Sequence, residues 1–488
     1  MRQLYLLLPV AWTLVVVPFL CGCVDEEDFP TPAGATIEFS VDTLSFDTVI
    51  AGLGTATHNF RIYNNSGDGI SITDVGFEDD DSRGFRVNVD GMYINDGLAQ
   101  SIDCRDEDSL IVFVELTPEE TGSDTPVEIT TQLIFTLANG EEQSIVLEAY
   151  SQDVVTLKAL HVTADTLLSA SRPFLVYDSL TVAEGATLTI DPGQLFYFYT
   201  DAYMRIDGTL LAEGTLDEPI VMRGHRTEMM FENQPYDRVS DQWVGLTFGP
   251  LSYGNELIYC DIHSAHDGIV TEAGDSQSLK LLIENSIVHN MAGYCLRLIN
   301  SNVVVGNSQI TNAADNCVYI AGGSFLCVHS TIANFYPFDS DRGAALVYSN
   351  YEGDETFDLN QATFINCIVT GWSDDEVYAY QTGSDGVAFN YSFYSCLLNT
   401  PEVDDDLNIV DCIWDRPTND VAADDNFKDF NLDYLTFDFS LSEESPAVGI
   451  GNVSYTQAYY PTDRLGVLRL SDGASDAGCY ELVQSTDQ

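Results

Sequence analysis

Between residues 256 and 398 one short pattern of polar and apolar positions returns at intervals too long for a helix or a simple hairpin. An aliphatic residue follows small polar ones in Cys260-Asp261-Ile262, Asn285-Ser286-Ile287, Ser308-Gln309-Ile310, Ser330-Thr331-Ile332, Asn366-Cys367-Ile368 and Ser395-Cys396-Leu397. These anchors are 25, 23, 22, 36 and 29 residues apart, the range in which self-similarity signals a stacked repeat. Each phrase reads as one coil of a solenoid. Stacked parallel strands must fill a narrow interior with one aliphatic layer per coil. The spacing therefore predicts an inward column of Ile262, Ile287, Ile310, Ile332, Ile368 and Leu397. Two positions further on, Ser264, His289, Asn312, Asn334, Thr370 and Asn399 predict a polar column whose amides and hydroxyls bridge successive coils. The longest interval, Ile332 to Ile368, carries Tyr336, Phe338, Tyr348 and Tyr351 and reads as an insertion on a binding face. Its aromatics either stack on sugar rings or fold back over the coil edge.

Upstream, residues 37–152 alternate apolar and polar positions over short runs divided by Gly, Asn and Asp turns, the signature of a β-sandwich. Phe60-Arg61-Ile62-Tyr63, Leu110-Ile111-Val112-Phe113-Val114 and Leu133-Ile134-Phe135-Thr136-Leu137 are its clearest strands, and Asn139-Gly140 a hairpin turn. Leu44-Ser45-Phe46-Asp47-Thr48-Val49 and Phe113-Val114-Glu115-Leu116-Thr117-Pro118 resemble immunoglobulin-like modules of the Hydin type. Further along, Leu188-Thr189-Ile190-Asp191-Pro192-Gly193, Ile206-Asp207-Gly208-Thr209-Leu210, Trp243-Val244-Gly245-Leu246 and Asp267-Gly268-Ile269 closely resemble the first coils of extracellular bacterial parallel β-helix proteins. The resemblances imply an all-β chain, a right-handed parallel β-helix preceded by an immunoglobulin-like β-sandwich. The expected layout is a leader at 1–22, an acidic and Pro-containing linker at 23–36, the sandwich at 37–152, the β-helix at 153–412 and a capping segment at 413–488. Within that last segment Ser445-Pro446-Ala447, Asp463-Arg464 and Asp476-Ala477-Gly478-Cys479-Tyr480-Glu481 resemble the terminal anchor region of bacterial β-helix lipoproteins and adhesin-like proteins. Val448-Gly449-Ile450 departs from that pattern, where an acidic residue is more usual, which speaks for a cap and against a ligand role.

The chain opens with Arg2, an apolar run from Leu4 to Leu20, and Leu20-Cys21-Gly22-Cys23. This ending resembles the lipobox of bacterial lipoproteins, which implies removal of residues 1–22 and acylation of Cys23. An ordinary secretory peptide that leaves Cys23 as a free thiol is the alternative. Asp25-Glu26-Glu27-Asp28 follows directly, resembling the signal that sends Bacteroidetes-type lipoproteins to the outer face of the outer membrane; it also suits a solvated linker. The expected partners are outer-membrane lipid through Cys23 and an extracellular glycan or surface protein.

Charge narrows the function further. Eighteen Lys and Arg against 77 Asp and Glu give a formal net charge of -59, which excludes nucleic acid as a partner, since its binding needs a positive surface. With Cys21 and Cys23 set aside, nine cysteines remain, an odd number, mostly inside the apolar phrases and without a Cys-x-x-Cys pair. They read as small buried hydrophobes. No cofactor is expected, with calcium left open at acidic loops such as Asp79-Asp80-Asp81.

A glycan-cleaving β-helix would need a complete catalytic set. The Gly-His-Gly and Arg-Ile-Lys phrases of polygalacturonase-like hydrolases are missing, and the cations that uronate lyases use are scattered singly, as at Lys280, Arg297 and Arg342. The best constellation is Asp261, His263, His266 and Asp267, two imidazoles and two carboxylates within seven residues. It reads either as an acid/base or metal-ligand set, or as turn and surface residues. The expectation is a binding or adhesive scaffold for glycans without its own catalysis. A polysaccharide lyase or glycoside hydrolase, and a purely structural envelope protein, remain the alternatives.

Overall fold

The computed structural model describes residues 28–94, 98, 100–231, 233–415 and 422–483. Cys23 and the leader lie outside them. Among the described residues no helix is long and apolar enough to cross a membrane. The chain divides into two compact units, one made of most residues before Tyr150 and one running from Tyr150 onward together with Asp47–Leu53 and Glu120–Val127.

The first unit contains two five-stranded antiparallel sheets. His58–Asn64, Asp108–Leu116 and Phe85–Val89 are consecutive strands of one sheet; Glu142–Gln152, Val127–Leu137 and Ile70–Phe77 are consecutive strands of the other. Alternate residues such as Val112, Val114 and Leu116, and Leu133, Phe135 and Leu137, are buried. Phe60 of one sheet meets Phe135 of the other edge to face at 6.4 Å. This is the β-sandwich that the alternation predicts.

The second unit is built on a 26-stranded sheet that coils on itself as a parallel β-helix. One coil shows the scheme. Trp243–Phe248, Asn255–Ile258 and Cys260–His263 occupy three faces in turn, and Ala265–Thr271 then returns to pair in parallel with Trp243–Phe248. The third face is completed by Leu195–Phe198, Ile220–Gly224, Ile287–Met291, Gln309–Ala313, Thr331–Asn334, Ile368–Gly371, Leu397–Leu398 and Ile413–Trp414.

The register corrects the expected interior column. Ile262 pairs with Val288, Val288 with Ile310, Ile310 with Ile332, Ile332 with Val369, and Val369 with Leu398. All six sit in the interior core. Ile287, Ile368 and Leu397 are therefore one residue out of phase and point away from the interior. The cause is the corner before each strand. Tyr259, Asn285, Asn307, His329, Asn366, Ser395 and Asp411 all have φ between 46° and 55°, and the inward residue always stands three positions later. A one-residue shift in a strand moves every side chain to the opposite face. Where two aliphatics are adjacent, as in Ile287-Val288, Ile368-Val369 and Leu397-Leu398, the corner decides which one is inside.

The residue after each corner forms a second ladder. The Cys260 amide donates to Ser286 Oγ at 2.9 Å, Ser286 to Ser308 Oγ at 3.1 Å and Ser308 to Ser330 Oγ at 3.2 Å. Cys367 and Cys396 continue it with sulfur acceptors at 3.4 Å. The nine described cysteines are all free thiols, and all but Cys412 are buried. The expected polar column is also only partly in phase: His289 pairs with His263 and Thr311, and Thr370 with Ala333, on the outward side of the strand. Asn334 does bridge coils, donating to Ala313 O at 2.9 Å and to Gly343 O at 2.7 Å.

The expected cap lies along the flank of the stack. Ala333, Phe335, Ile368 and Leu397 of the third face join Phe427, Phe439, Leu441, Ala447, Ala477, Cys479 and Tyr480 in a separate apolar cluster. This cover explains how the outward-pointing Ile368 and Leu397 are fully buried. The carboxylates of the terminal motif hold the cover itself together. Asp463 accepts from the amides of Leu465, Val467 and Glu481, and Asp476 from those of Gly449 and Leu482. The buried Arg469 reaches across to Asn307 Oδ1 at 2.6 Å.

Candidate functional site

The cover does not meet the third face everywhere. Over the strands of His263, His289 and Thr311 it leaves an open cavity of about 510 Å³, within the usual range for small-molecule sites. Its floor holds Asp261, His263, His289, Gln309, Thr311 and Asn312, and its far wall holds Phe437, Asp438, Leu465 and Tyr480. The wall strands are Phe427–Asn431 and Thr436–Leu441, an antiparallel pair. Tyr480 ties wall to floor by donating its hydroxyl to Gln309 Oε1 at 2.9 Å.

The floor follows from strand periodicity. Asp261 and His263 are two apart on Cys260–His263, so both face outward, and His263 stands opposite His289 on the next coil. The two imidazoles lie 4.8 Å apart between centroids. His263 Nδ1 is 2.9 Å from Asp261 Oδ1, and His289 Nε2 is 3.2 Å from the same oxygen. A one-turn 3-10 helix, Tyr236–Arg238, brings a second carboxylate. Asp237 Oδ1 is 2.8 Å from His263 Nε2 and 2.8 Å from the Arg223 guanidinium. The turn is held by Ser264 Oγ, which donates to the Asp237 carbonyl at 2.7 Å.

Electrostatics lock this arrangement. Burial alone would push the His263 imidazole down, but Asp261 and Asp237 on either side outweigh it and hold its pKa up at about 9. Protonated, His263 donates from both ring nitrogens. Burial would likewise raise both carboxyls, yet the His263 charge and its hydrogen bonds hold Asp261 well below the usual carboxylate range. The same forces, with Arg223, bring Asp237 to about 2.

Two of the four residues singled out in the sequence belong here and two do not. Ser264, with φ of 64°, turns the chain onto the next face immediately after His263. His266 and Asp267 therefore sit on Ala265–Thr271, around the corner. His266 pairs with Asp241 at 2.9 Å on the exposed surface, and Asp267 accepts from the Tyr294 amide at 2.9 Å. The aromatics of the long interval do not gather. Tyr348 lies inside the solenoid, stacked on Phe389 at 5.8 Å, and cannot meet a ligand. Tyr336 is buried with its hydroxyl 2.7 Å from Ser240 Oγ, and the exposed Phe338 rests edge-on against it. Tyr351 belongs to the separate hairpin Tyr351–Glu352 and Glu355–Thr356.

Sequence reasoning missed Asp237, Arg223, His289 and Tyr480. His289 was within reach: aligned on its corner residue Asn285, it takes the position of His263. Asp237 and Tyr480 come from an insertion and from the C-terminal cover, 26 and more residues away from the strands they meet, and carry no periodic signal.

Among solved structures, the chain is similar to a PapD-like domain of human CEP192, at 11% identity and a TM-score of 0.18 over 27% of this chain and 97% of that one. It is also similar to a family 123 glycoside hydrolase from Clostridium perfringens, at 7% identity and a TM-score of 0.18 over 26% of each chain. A third likeness is to the Vibrio cholerae VesB protease, at 14% identity and a TM-score of 0.17 over 24% of this chain and 31% of that one. None of these likenesses bears on function. No curated protein matches the chain. Residues 217–336, which supply the floor of the cavity, match the family model described as a right handed beta helix region, and the coiled sheet that contains them is a right-handed parallel β-helix.

Proposed function

We propose that this protein is a glycan-binding scaffold of the bacterial cell surface, anchored in the outer membrane through acylated Cys23, with the sandwich as an immunoglobulin-like spacer. The observation that carries the reading is the cavity on the third face. It combines an open volume of about 510 Å³ with carboxylates, side-chain amides and hydroxyls beside the aromatic residues Phe437 and Tyr480, a mixture suited to sugar hydroxyls and sugar rings. The leader and the charge of -59 support a surface location and a neutral ligand.

Binding is favoured over cleavage by the state of the two carboxylates nearest the imidazoles. A glycosidase needs one carboxyl protonated at working pH. Asp261 and Asp237 are both held ionised by His263, so neither is placed to act as that acid. A glycan array probed with the full chain in mild detergent, with and without calcium, tests the reading. The expected result is retention of neutral glycans that Asp438→Ala and Asn312→Ala weaken. Absence of binding under both conditions would overturn it, and release of reducing ends or unsaturated products from a polysaccharide panel would favour an enzyme instead.

A further inference from the structure

The group on the cavity floor has a feature that glycan binding does not require. Asp261, His263 and His289 each offer one donor atom, and the three atoms lie within 4.8 Å of one another. Among the described residues no other set of three His, Cys, Asp or Glu side chains comes together in this way. Two edges of the triangle, 2.9 Å and 3.2 Å, match the separation of about 2.9–3.4 Å between donors bound at about 2.0–2.1 Å to one ion at angles of 90–109°. The third edge is no longer than 4.8 Å, and the His289 ring that ends it is partly exposed. We propose that Asp261 Oδ1, His263 Nδ1 and His289 Nε2 form a binding site for a divalent transition metal of the zinc class, open on its cavity side to a water or to an exogenous oxygen ligand.

Three further features fit this assignment. His263 is buried and uses its other nitrogen, Nε2, on the Asp237 carboxylate, which is itself fixed by Arg223. A carboxylate behind a ligating imidazole sets its tautomer and orientation and strengthens it as a donor. The ligand atoms belong to two neighbouring rungs of one rigid sheet, so their spacing is set by the strand pairing and not by loops. Two imidazoles with one carboxylate select zinc, cobalt or nickel over calcium and magnesium, which prefer all-oxygen shells. On uptake the ion takes the place of the Nδ1 proton between His263 and Asp261, and that proton leaves to solvent. The site stands whether or not the cavity holds a glycan.

The test is calorimetric titration of the full chain, purified without a histidine tag in mild detergent, with Zn²⁺, and optical titration with Co²⁺. One ion per chain is expected, with visible Co²⁺ bands of nitrogen and oxygen coordination, and Ca²⁺ should not compete. His289→Ala and Asp261→Asn should each weaken binding at least tenfold while circular dichroism stays unchanged; His266→Ala, on the neighbouring face, should bind like the parent. Absence of Zn²⁺ uptake, or undiminished uptake in both ligand variants, would overturn the assignment. The titrations contain no glycan, so a negative glycan array leaves them readable, and the reverse holds equally.

Discussion

The position of the C-terminal cover, which walls the cavity, rests on contacts that one methyl group can probe. Gly478 has φ of +92°, and a Cβ added there would stand 2.7 Å from Ile368 Cδ1 and 2.8 Å from Thr331 Oγ1. Its amide donates to Asn366 O at 2.9 Å, so the segment cannot slide without losing a bond to the corner of that coil. Gly478→Ala then carries two costs. The positive φ costs about 1–3 kcal/mol for a residue with a side chain, and overpacking costs about 1–3 kcal/mol more. The expected loss is about 2–6 kcal/mol. Ile368→Val removes the methyl that is struck and by itself costs about 0.5–1.5 kcal/mol. In the double variant the clash with Ile368 Cδ1 is relieved, while the approach to Thr331 Oγ1 and the backbone part remain, so the two changes should couple favourably by more than the ~0.5 kcal/mol expected for independent sites. Urea unfolding followed by tryptophan fluorescence is a suitable assay, because Trp372 packs edge-on to Phe335 in the same cluster at 5.3 Å. A Gly478→Ala variant within 0.5 kcal/mol of the parent, or strictly additive effects, would refute the docking and with it the cavity wall.

Two other expectations follow from buried polar groups of the solenoid. Glu376 is fully buried, and burial lifts its pKa from 4.5 to about 8 against two opposing amide bonds, from Ser373 at 2.8 Å and Ala345 at 2.7 Å. Its raised value means that the native state holds a proton the unfolded chain has lost. The stability it contributes is therefore present below about pH 4.5 and is lost as pH rises through about 8. At about 1.4 kcal/mol per pKa unit this amounts to a few kcal/mol; the stability of the parent relative to Glu376→Gln should fall by that amount in melts across the window, and a difference independent of pH would show the carboxyl ionised throughout. Lys280, also fully buried, donates to the carbonyls of Gly249, Pro250 and Ser252 at 2.6, 3.3 and 3.1 Å. Lys280→Met should cost about 1.5–3 kcal/mol in urea unfolding, as for loss of hydrogen bonds to a charged group; an unchanged midpoint would show that the carbonyls find other partners.

Much of this architecture is written in the sequence because a solenoid repeats its local rules. Asn285, Asn307 and Asn366 mark corners that tolerate positive φ, small residues after them fill the ladder, and aliphatics fill the interior, so the period alone identifies stacked coils. The alternation of residues such as Val112, Val114 and Leu116 likewise identifies the sandwich. The phase within each coil is harder to see, because Ile368-Val369 and Leu397-Leu398 offer two aliphatics in succession and hydropathy cannot say which is inside. The residue just before the inward one, such as Ile368 or Leu397, becomes a core position only because a separate segment covers it. Asp261 and His263 could be read as one outward pair from strand periodicity, while His266 and Asp267 could not be separated from them without the turn at Ser264. The rest of the site was decided by tertiary structure. Coil stacking sets His289 beside His263, a one-turn helix in an insertion carries Asp237 to the same imidazole, and the C-terminal cover brings Tyr480 to Gln309. Local sequence dictates which face a side chain takes on its own strand, whereas convergence of groups from different coils depends on lateral packing between segments far apart in the chain.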